Sequence, residues 1–365
     1  MSTRLSTLFD DFDGGRLSRR QLLAALGIAV AVRPSSAFAQ GQCGGAKAGT
    51  PECDTTPAKA PFAPTGWKTV MLDHFSCQVA DYSKEAAYYA ALMNWPIRDD
   101  NGTRALLDIG DWGGLEIRGG YQAPSAAPAP PPGAGGPGGG APRAPRLAAF
   151  DGFCWGITPW DTKTVEAELR KRGLTPVADH RGADFQSFHV KDPDGFDLQI
   201  SNGSPANRRR GAASGKTAAP APFASTAWKT VWLDHISFEV SNYKETVAFY
   251  SALLGWTPGA DEGSQSQCRI GEVGDIIIRR GRGPAVVPGA PPPPRRASMG
   301  HISFGIADFD PDAVKAELDK RGLSARVDTG GAGDIHTANY KSYHTTTPNG
   351  FDLQISNVTK ATRGA

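Results

Sequence analysis

Trp67-Lys68-Thr69-Val70-Met71-Leu72-Asp73-His74 returns as Trp228-Lys229-Thr230-Val231-Trp232-Leu233-Asp234-His235. Nothing constrains the fold of this chain more, because the correspondence continues past the histidine. Tyr82 and Tyr243, Tyr89 and Tyr250, Trp95 and Trp256 follow at the same offsets. A recurrence of this length marks a duplicated unit, so whatever fold the first half adopts, the second adopts too.

With 365 residues the chain has room for two domains, each burying its own core. A net charge of +2 gives no electrostatic footprint for nucleic acid, and no nucleic-acid partner is expected. The run Arg208-Arg209-Arg210 lies among Pro, Ala, Ser and Gly and reads as solvated linker.

Residues 1–39 read as an export signal. Ser18-Arg19-Arg20-Gln21-Leu22-Leu23 has the twin-arginine pattern, an apolar stretch runs from Leu22 to Val32, and Ala37-Phe38-Ala39 is a small-x-small cleavage site before Gln40. The apolar stretch is too short for a permanent span. The expectation is therefore a protein handled by the twin-arginine machinery, exported to the periplasm or beyond, with no lasting membrane segment. That route carries folded proteins, often with a metal already loaded. Of the cysteines, Cys43 and Cys53 bracket a Gly/Pro segment and are placed for a local disulfide in an oxidising compartment. Cys77, Cys154 and Cys268 match no zinc ribbon or Cys-x-x-Cys pair.

After a leader over 40–64, expected to be disordered, the order of elements repeats. A strand over Thr69–Val79 and a helix over Tyr82–Met93 precede short strands; a second strand, helix and strands end in a hairpin around Pro193-Asp194-Gly195. The second half repeats each step and ends in a hairpin around Pro348-Asn349-Gly350. Pro-, Ala- and Gly-rich stretches at 121–147, 203–226 and 283–297 read as connectors. This delimits a first domain at 65–202, a second at 227–358 and a tail at 359–365. Each domain holds two strand–helix–strand–strand–strand modules. One helix can cover only one face of each sheet, so paired modules should curl into a cup lined by alternate strand residues.

The seven histidines avoid linkers, leader and helices. His74 matches His235, His189 matches His344, and His180 sits near the equivalent of His336. His301 opens the fourth module where His235 opens the third. Single strand histidines are more often hydrogen-bonded core residues than ligands. Two first-strand histidines from adjacent modules, however, can face each other across a cup and share one metal ion.

These residues carry a resemblance. Leu233-Asp234-His235-Ile236-Ser237, Gly300-His301-Ile302 and the hairpins Asp192-Pro193-Asp194-Gly195-Phe196-Asp197-Leu198-Gln199 and Thr347-Pro348-Asn349-Gly350-Phe351-Asp352-Leu353-Gln354 resemble the vicinal oxygen chelate superfamily of glyoxalases, bleomycin-resistance proteins and extradiol dioxygenases. The resemblance implies an α+β fold of four βαβββ modules paired into two cup-shaped half-barrels. It also implies a metal held by first and last strands of paired modules. Ring-cleaving members use two histidines and a glutamate, which here become His235, His301 and Gln354. The family's acid–base region maps to His336 and His344, the latter where the family places a tyrosine. Gln354 lacks the carboxylate's charge, so Fe(II) or Mn(II), with Zn(II) or Ni(II) as alternatives, would be held less tightly. Some glyoxalases of the family do ligate through glutamine. In the first half the corresponding set is His74, Glu116 and Gln199, with Gly152 in place of His301. Cys154, two residues beyond Gly152, faces the same cavity by strand parity and reads as a core residue or a soft ligand.

No Gly-x-Ser-x-Gly elbow or phosphate-cradling glycine loop is present. The expected function is that of an exported metal-dependent enzyme, dioxygenase-like or glyoxalase-like, acting on a small substrate with neighbouring oxygens. The alternative is a binding protein of the bleomycin-resistance type.

Overall fold

The structure is a computed structural model and describes residues 55–122, 147–181, 184–207, 219–281 and 294–363. The export segment, Cys43, Cys53 and most of the connectors lie outside the described residues. The first half runs β1 (Lys68–Val79), α1 (Tyr82–Leu92), β2 (Ile97–Asp100), β3 (Arg104–Ile109), β4 (Gly113–Arg118), then β5 (Ala148–Thr158), α2 (Thr162–Lys171), β6 (Val177–Ala178), β7 (Ser187–Lys191) and β8 (Asp197–Ser201). The second half repeats it as β9 (Thr230–Val240), α3 (Tyr243–Leu254), β10 (Thr257–Asp261), β11 (Gln265–Ile270), β12 (Gly274–Arg280), β13 (Ala297–Ile306), α4 (Pro311–Lys320), β14 (Arg326–Asp328), β15 (Ser342–Thr346) and β16 (Asp352–Ser356).

Each half forms one eight-stranded sheet, in the orders β2-β3-β4-β1-β5-β8-β7-β6 and β10-β11-β12-β9-β13-β16-β15-β14. Two modules meet along the antiparallel pairs β1/β5 and β9/β13, while each module's first strand lies parallel to its last. The helices start where the sequence supplies a cap: the side chains of Asp81, Asp161, Asn242 and Asp310 accept from the N–H three residues on. This is the α+β, four-module arrangement expected from the repeat.

One face of each sheet is aromatic, and the two aromatic faces pack on each other. Phe75 meets Phe304 with ring centroids 6.4 Å apart, Phe153 meets Phe238 at 5.9 Å, and Phe150 meets Phe351 at 4.2 Å. The contacts across this seam are reciprocal. Trp95 Nε1 donates to Thr230 Oγ1 at 2.9 Å, and Trp256 Nε1 donates to Thr69 Oγ1 at 3.0 Å. Tyr89 stacks on Trp95 and Tyr250 on Trp256. Of the aromatics that mark the repeat, Tyr89, Trp95, Tyr250 and Trp256 are material of the seam, while Tyr82 and Tyr243 bond Asp100 and Asp261 within their own halves.

The segments before β1 and β9 cross over as well. Thr65 Oγ1 donates to Leu253 O at 2.7 Å and Thr226 Oγ1 to Leu92 O at 2.6 Å, while Phe62 packs on Phe249 and Phe223 on Tyr88. Arg172 and Arg321 cover Phe62 and Phe223. The end of the leader expected to be disordered therefore has a seat, because Phe62 finds an aromatic surface there.

The closing hairpins complete the exchange. Asp192 accepts from the backbone of Asp194 and Phe196 to shape its turn, and its other oxygen accepts from Tyr250 on α3 at 3.1 Å. Asn349 binds Glu85 on α1 through its side chain at 2.7 Å and its backbone at 3.1 Å. Each half thus clasps the helix of the other with the turn that ends its own sheet.

Candidate metal centre

Alternate residues point away from the seam, and these line the cups. Across the second sheet Asp275, His235, Ser303, Gln354 and His344 stand opposite one another on β12, β9, β13, β16 and β15. In a regular strand Asp234 would point to the other face from His235. Here the register slips: Leu233 faces Phe304 while His235 faces Ser303, so Asp234 is an extra residue in a β-bulge. The bulge brings its carboxylate beside the site. It accepts from the Ser303 hydroxyl at 2.7 Å and the Tyr340 hydroxyl at 3.1 Å, and lies 3.4 Å from His235 Nδ1. Burial opposes its charge, but the neighbouring His235 and the hydrogen bond from Ser303 hold its pKa below the ordinary value.

His235 Nε2 lies 3.0 Å from His301 Nε2. Gln354 is fully buried, and its Nε2 donates to Ser342 at 2.7 Å, Tyr340 at 2.9 Å and Asp328 at 3.2 Å. Its Oε1 has no hydrogen-bond partner among the described residues. Next to these, His344 is held between two carboxylates, its Nδ1 3.1 Å from Asp352 and its Nε2 3.4 Å from Asp328, with its ring edge-on to His301 at 5.0 Å. Burial disfavours the charged ring, yet the two aspartates outweigh it and raise the His344 pKa above the usual imidazole value. Donor atoms of His301, His344 and Asp352 all lie within 4.8 Å of one another.

The cavity here holds about 180 Å³ and is lined by His235, His301, Gln265, Arg279, Asp328 and the turn Gly330–Gly331. Both glycines have positive φ, 62° and 88°, which lets the loop fold tightly over the cup. Arg279 brings a guanidinium whose buried Nε has no hydrogen-bond partner among the described residues. Burial lowers its pKa.

These residues fit a divalent metal. Two imidazole nitrogens bound to one ion at about 2.1 Å and at right angles lie about 3 Å apart. The buried Gln354 oxygen, left without a donor among the described residues, could serve as a third, neutral ligand. Of the residues expected in the site, His235, His301, Gln354 and His344 converge. His336 does not: it lies on the loop after β14, its side chain is 55% exposed, and its nearest ionic neighbour is Asp312 at 3.8 Å. Its side chain is turned to solvent, away from the others.

In the first half His74, Glu116 and Gln199 share the cup face along β4, β1, β5 and β8, but the carboxylate is engaged by arginines. Glu116 Oε2 accepts from Arg181 at 3.3 Å and Arg104 at 3.4 Å, and Arg118 lies 3.7 Å from its Oε1. Burial works against its charge, while His74, Arg181 and Arg104 pull its pKa down. Gln199 Nε2 donates to Ser187 and Asp179, as Gln354 does to Ser342 and Asp328. The compact donor group in this half is instead Asp73, His74 and Cys154. Asp73, Asp234, Asp328 and Tyr340 were not singled out from the sequence. The Asp-His pair in both copies of the repeat was a legible signal for the first two.

Solved structures with the same fold include the Mn(II)-bound glyoxalase from Novosphingobium aromaticivorans, with TM-score 0.55 and 15% identity over 81% of this chain and 86% of that one. An extradiol ring-cleaving dioxygenase from B. fuscum aligns with TM-score 0.52 and 16% identity over 83% of this chain and 75% of that one. Homoprotocatechuate 2,3-dioxygenase from Arthrobacter globiformis aligns with TM-score 0.51 and 16% identity over 83% and 82%. No protein-family model and no curated protein matches the chain.

Proposed function

We propose that this chain, which has the vicinal oxygen chelate fold, is a metal-dependent enzyme whose centre lies in its second half. The observation that carries the reading is the pair of imidazole nitrogens 3.0 Å apart beside the unpartnered oxygen of buried Gln354. His235, His301 and Gln354 would hold the ion, which when bound supplies a Lewis acid and a template for two neighbouring oxygens. Fe(II) and Mn(II) suit this nitrogen and oxygen set, with Zn(II) and Ni(II) as alternatives. Asp234 orients the His235 ring in the way outer partners position metal-binding histidines. His344, fixed between Asp328 and Asp352, is placed to hold or pass a proton beside His301. Arg279 lines the same cavity and favours a small substrate that carries an anionic group.

Metal content of protein purified without chelator tests the reading. About one equivalent is expected in this half, and His235→Ala and His301→Ala should each weaken binding by about 100-fold or more. Metal content unaffected by either substitution would overturn it. Oxygen consumption with catechols then separates ring cleavage from glyoxalase-like isomerisation. A second reading, a small-molecule binding protein of the bleomycin-resistance type, draws on Gln354, because a neutral amide does not supply a carboxylate's charge. It predicts ligand-induced stabilisation without turnover. Export through the twin-arginine route is part of the proposal; replacing Arg19 and Arg20 by lysine should leave the protein uncleaved in the cytoplasm.

A further inference from the structure

The first cup has no imidazole pair. Gly152 stands where the second half has His301, and a Cβ there would already lie 3.2 Å from the backbone oxygen of Asp197. Yet one position has gained a donor. Along the ladder His74 faces Cys154, as His235 faces Ser303, and Leu72 faces Trp155, so Asp73 is again the extra residue of a bulge. In the second half the Ser303 hydroxyl is spent on Asp234. A thiol is a weak hydrogen-bond donor and a strong ligand for softer cations once ionised.

We propose that Asp73, His74 and Cys154 form a separate metal site, suited to a borderline divalent cation of the zinc class. A carboxylate oxygen, an imidazole nitrogen and a thiol sulfur lie within 4.8 Å of one another there. Asp73 Oδ1 sits 2.7 Å from His74 Nδ1 and fixes the ring's direction. Cys154 is wholly buried and His74 nearly so, whereas Asp73 also lines a cavity of about 210 Å³ with Arg98, Arg104 and Arg181. That cavity would give an ion its route to Asp73, since its three arginines are paired with Asp108, Asp99, Glu116 and Asp179. One sulfur, one nitrogen and one oxygen select Zn(II), Co(II) or a similar ion over the harder cations that the second cup favours. Binding forms a sulfur–metal bond and breaks the Cys154 S–H bond, the proton passing to solvent, so uptake strengthens as pH rises.

The test uses the full-length chain, reduced and loaded with Co(II). Wild type should show the intense near-ultraviolet absorption of a thiolate-to-cobalt transition. Cys154→Ser, which copies the serine of the other half, should abolish that absorption while leaving the unfolding transition in place. His301→Ala should keep it, because the second-half centre has no thiol. No such absorption in wild type, or absorption that persists in Cys154→Ser, overturns the proposal. If Cys154→Ser does not fold, His74→Ala decides: loss or a shift of the absorption supports the site, and an unchanged spectrum overturns it.

Discussion

A glutamate at position 354 would have to share its pocket with Asp328, whose Oδ2 lies 3.2 Å from the Gln354 amide nitrogen. The surroundings ask for a donor at that place, and an amide supplies one while its oxygen stays without a hydrogen-bond partner among the described residues. The first half repeats the arrangement with Gln199 and Asp179, also at 3.2 Å. Glutamine is thus built into both sites by its neighbours. Gln354→Glu should lower the stability of the metal-free protein by about 1–3 kcal/mol near neutral pH, and adding Asp328→Asn should restore most of the loss. Denaturant unfolding of the two metal-free variants checks this; a single substitution that costs no stability would refute it. The imidazole pair was legible in the sequence because each histidine sits at a repeated first-strand position. Asp328 and Tyr340 were not, since their place depends on a short edge strand and a loop. Nor does closeness in sequence fix which way a loop side chain such as that of His336 points.

At the scale of the element, the hairpin turns do two jobs that sequence spacing shows only in part. Pro-Asp-Gly and Pro-Asn-Gly announce a turn, but not that Asp192 and Asn349 reach the opposite half. Asn349→Ala would leave buried Glu85 without its amide partner, and burial already pushes that carboxyl upward. The expected cost is about 2–3 kcal/mol, measurable by chemical denaturation. Burial also pushes the Asp192 pKa up, from 3.8 to about 6, against the hydrogen bonds it accepts. With the folded value raised, its stabilising contribution is full below pH 3.8 and is lost as pH rises through about 6. Asp192→Asn should therefore gain on wild type between those limits, by on the order of 2 kcal/mol at pH 7. Thermal melts across that range read the difference directly, and a constant offset between the two proteins would contradict it.

For the whole molecule, the sequence showed two halves of two modules each but not how the halves meet, because aromatic residues on a strand look alike whether they fill one domain or join two. The answer lies in reciprocity. Expressed alone, residues 219–363 would expose Trp256, Phe238, Phe304 and Phe351, all buried in the intact chain. At roughly 1.5–3 kcal/mol for each large side chain returned to water, that half should aggregate or pair with itself, as light scattering would show. A soluble, folded monomer would contradict the seam. Reciprocal contacts of this kind belong to a two-fold dimer, in which one patch recognises its own copy. Read as ancestry, the turn-to-helix exchange describes a single half that once associated with its twin and was later joined to it by a linker. Fusion had unequal effects on the two faces of each sheet. Changes at the seam still had to suit both partners, while each outward cup became free to accept mutations the other did not share. One cup carries an imidazole pair and a serine hydroxyl where the other carries a single imidazole and a thiol.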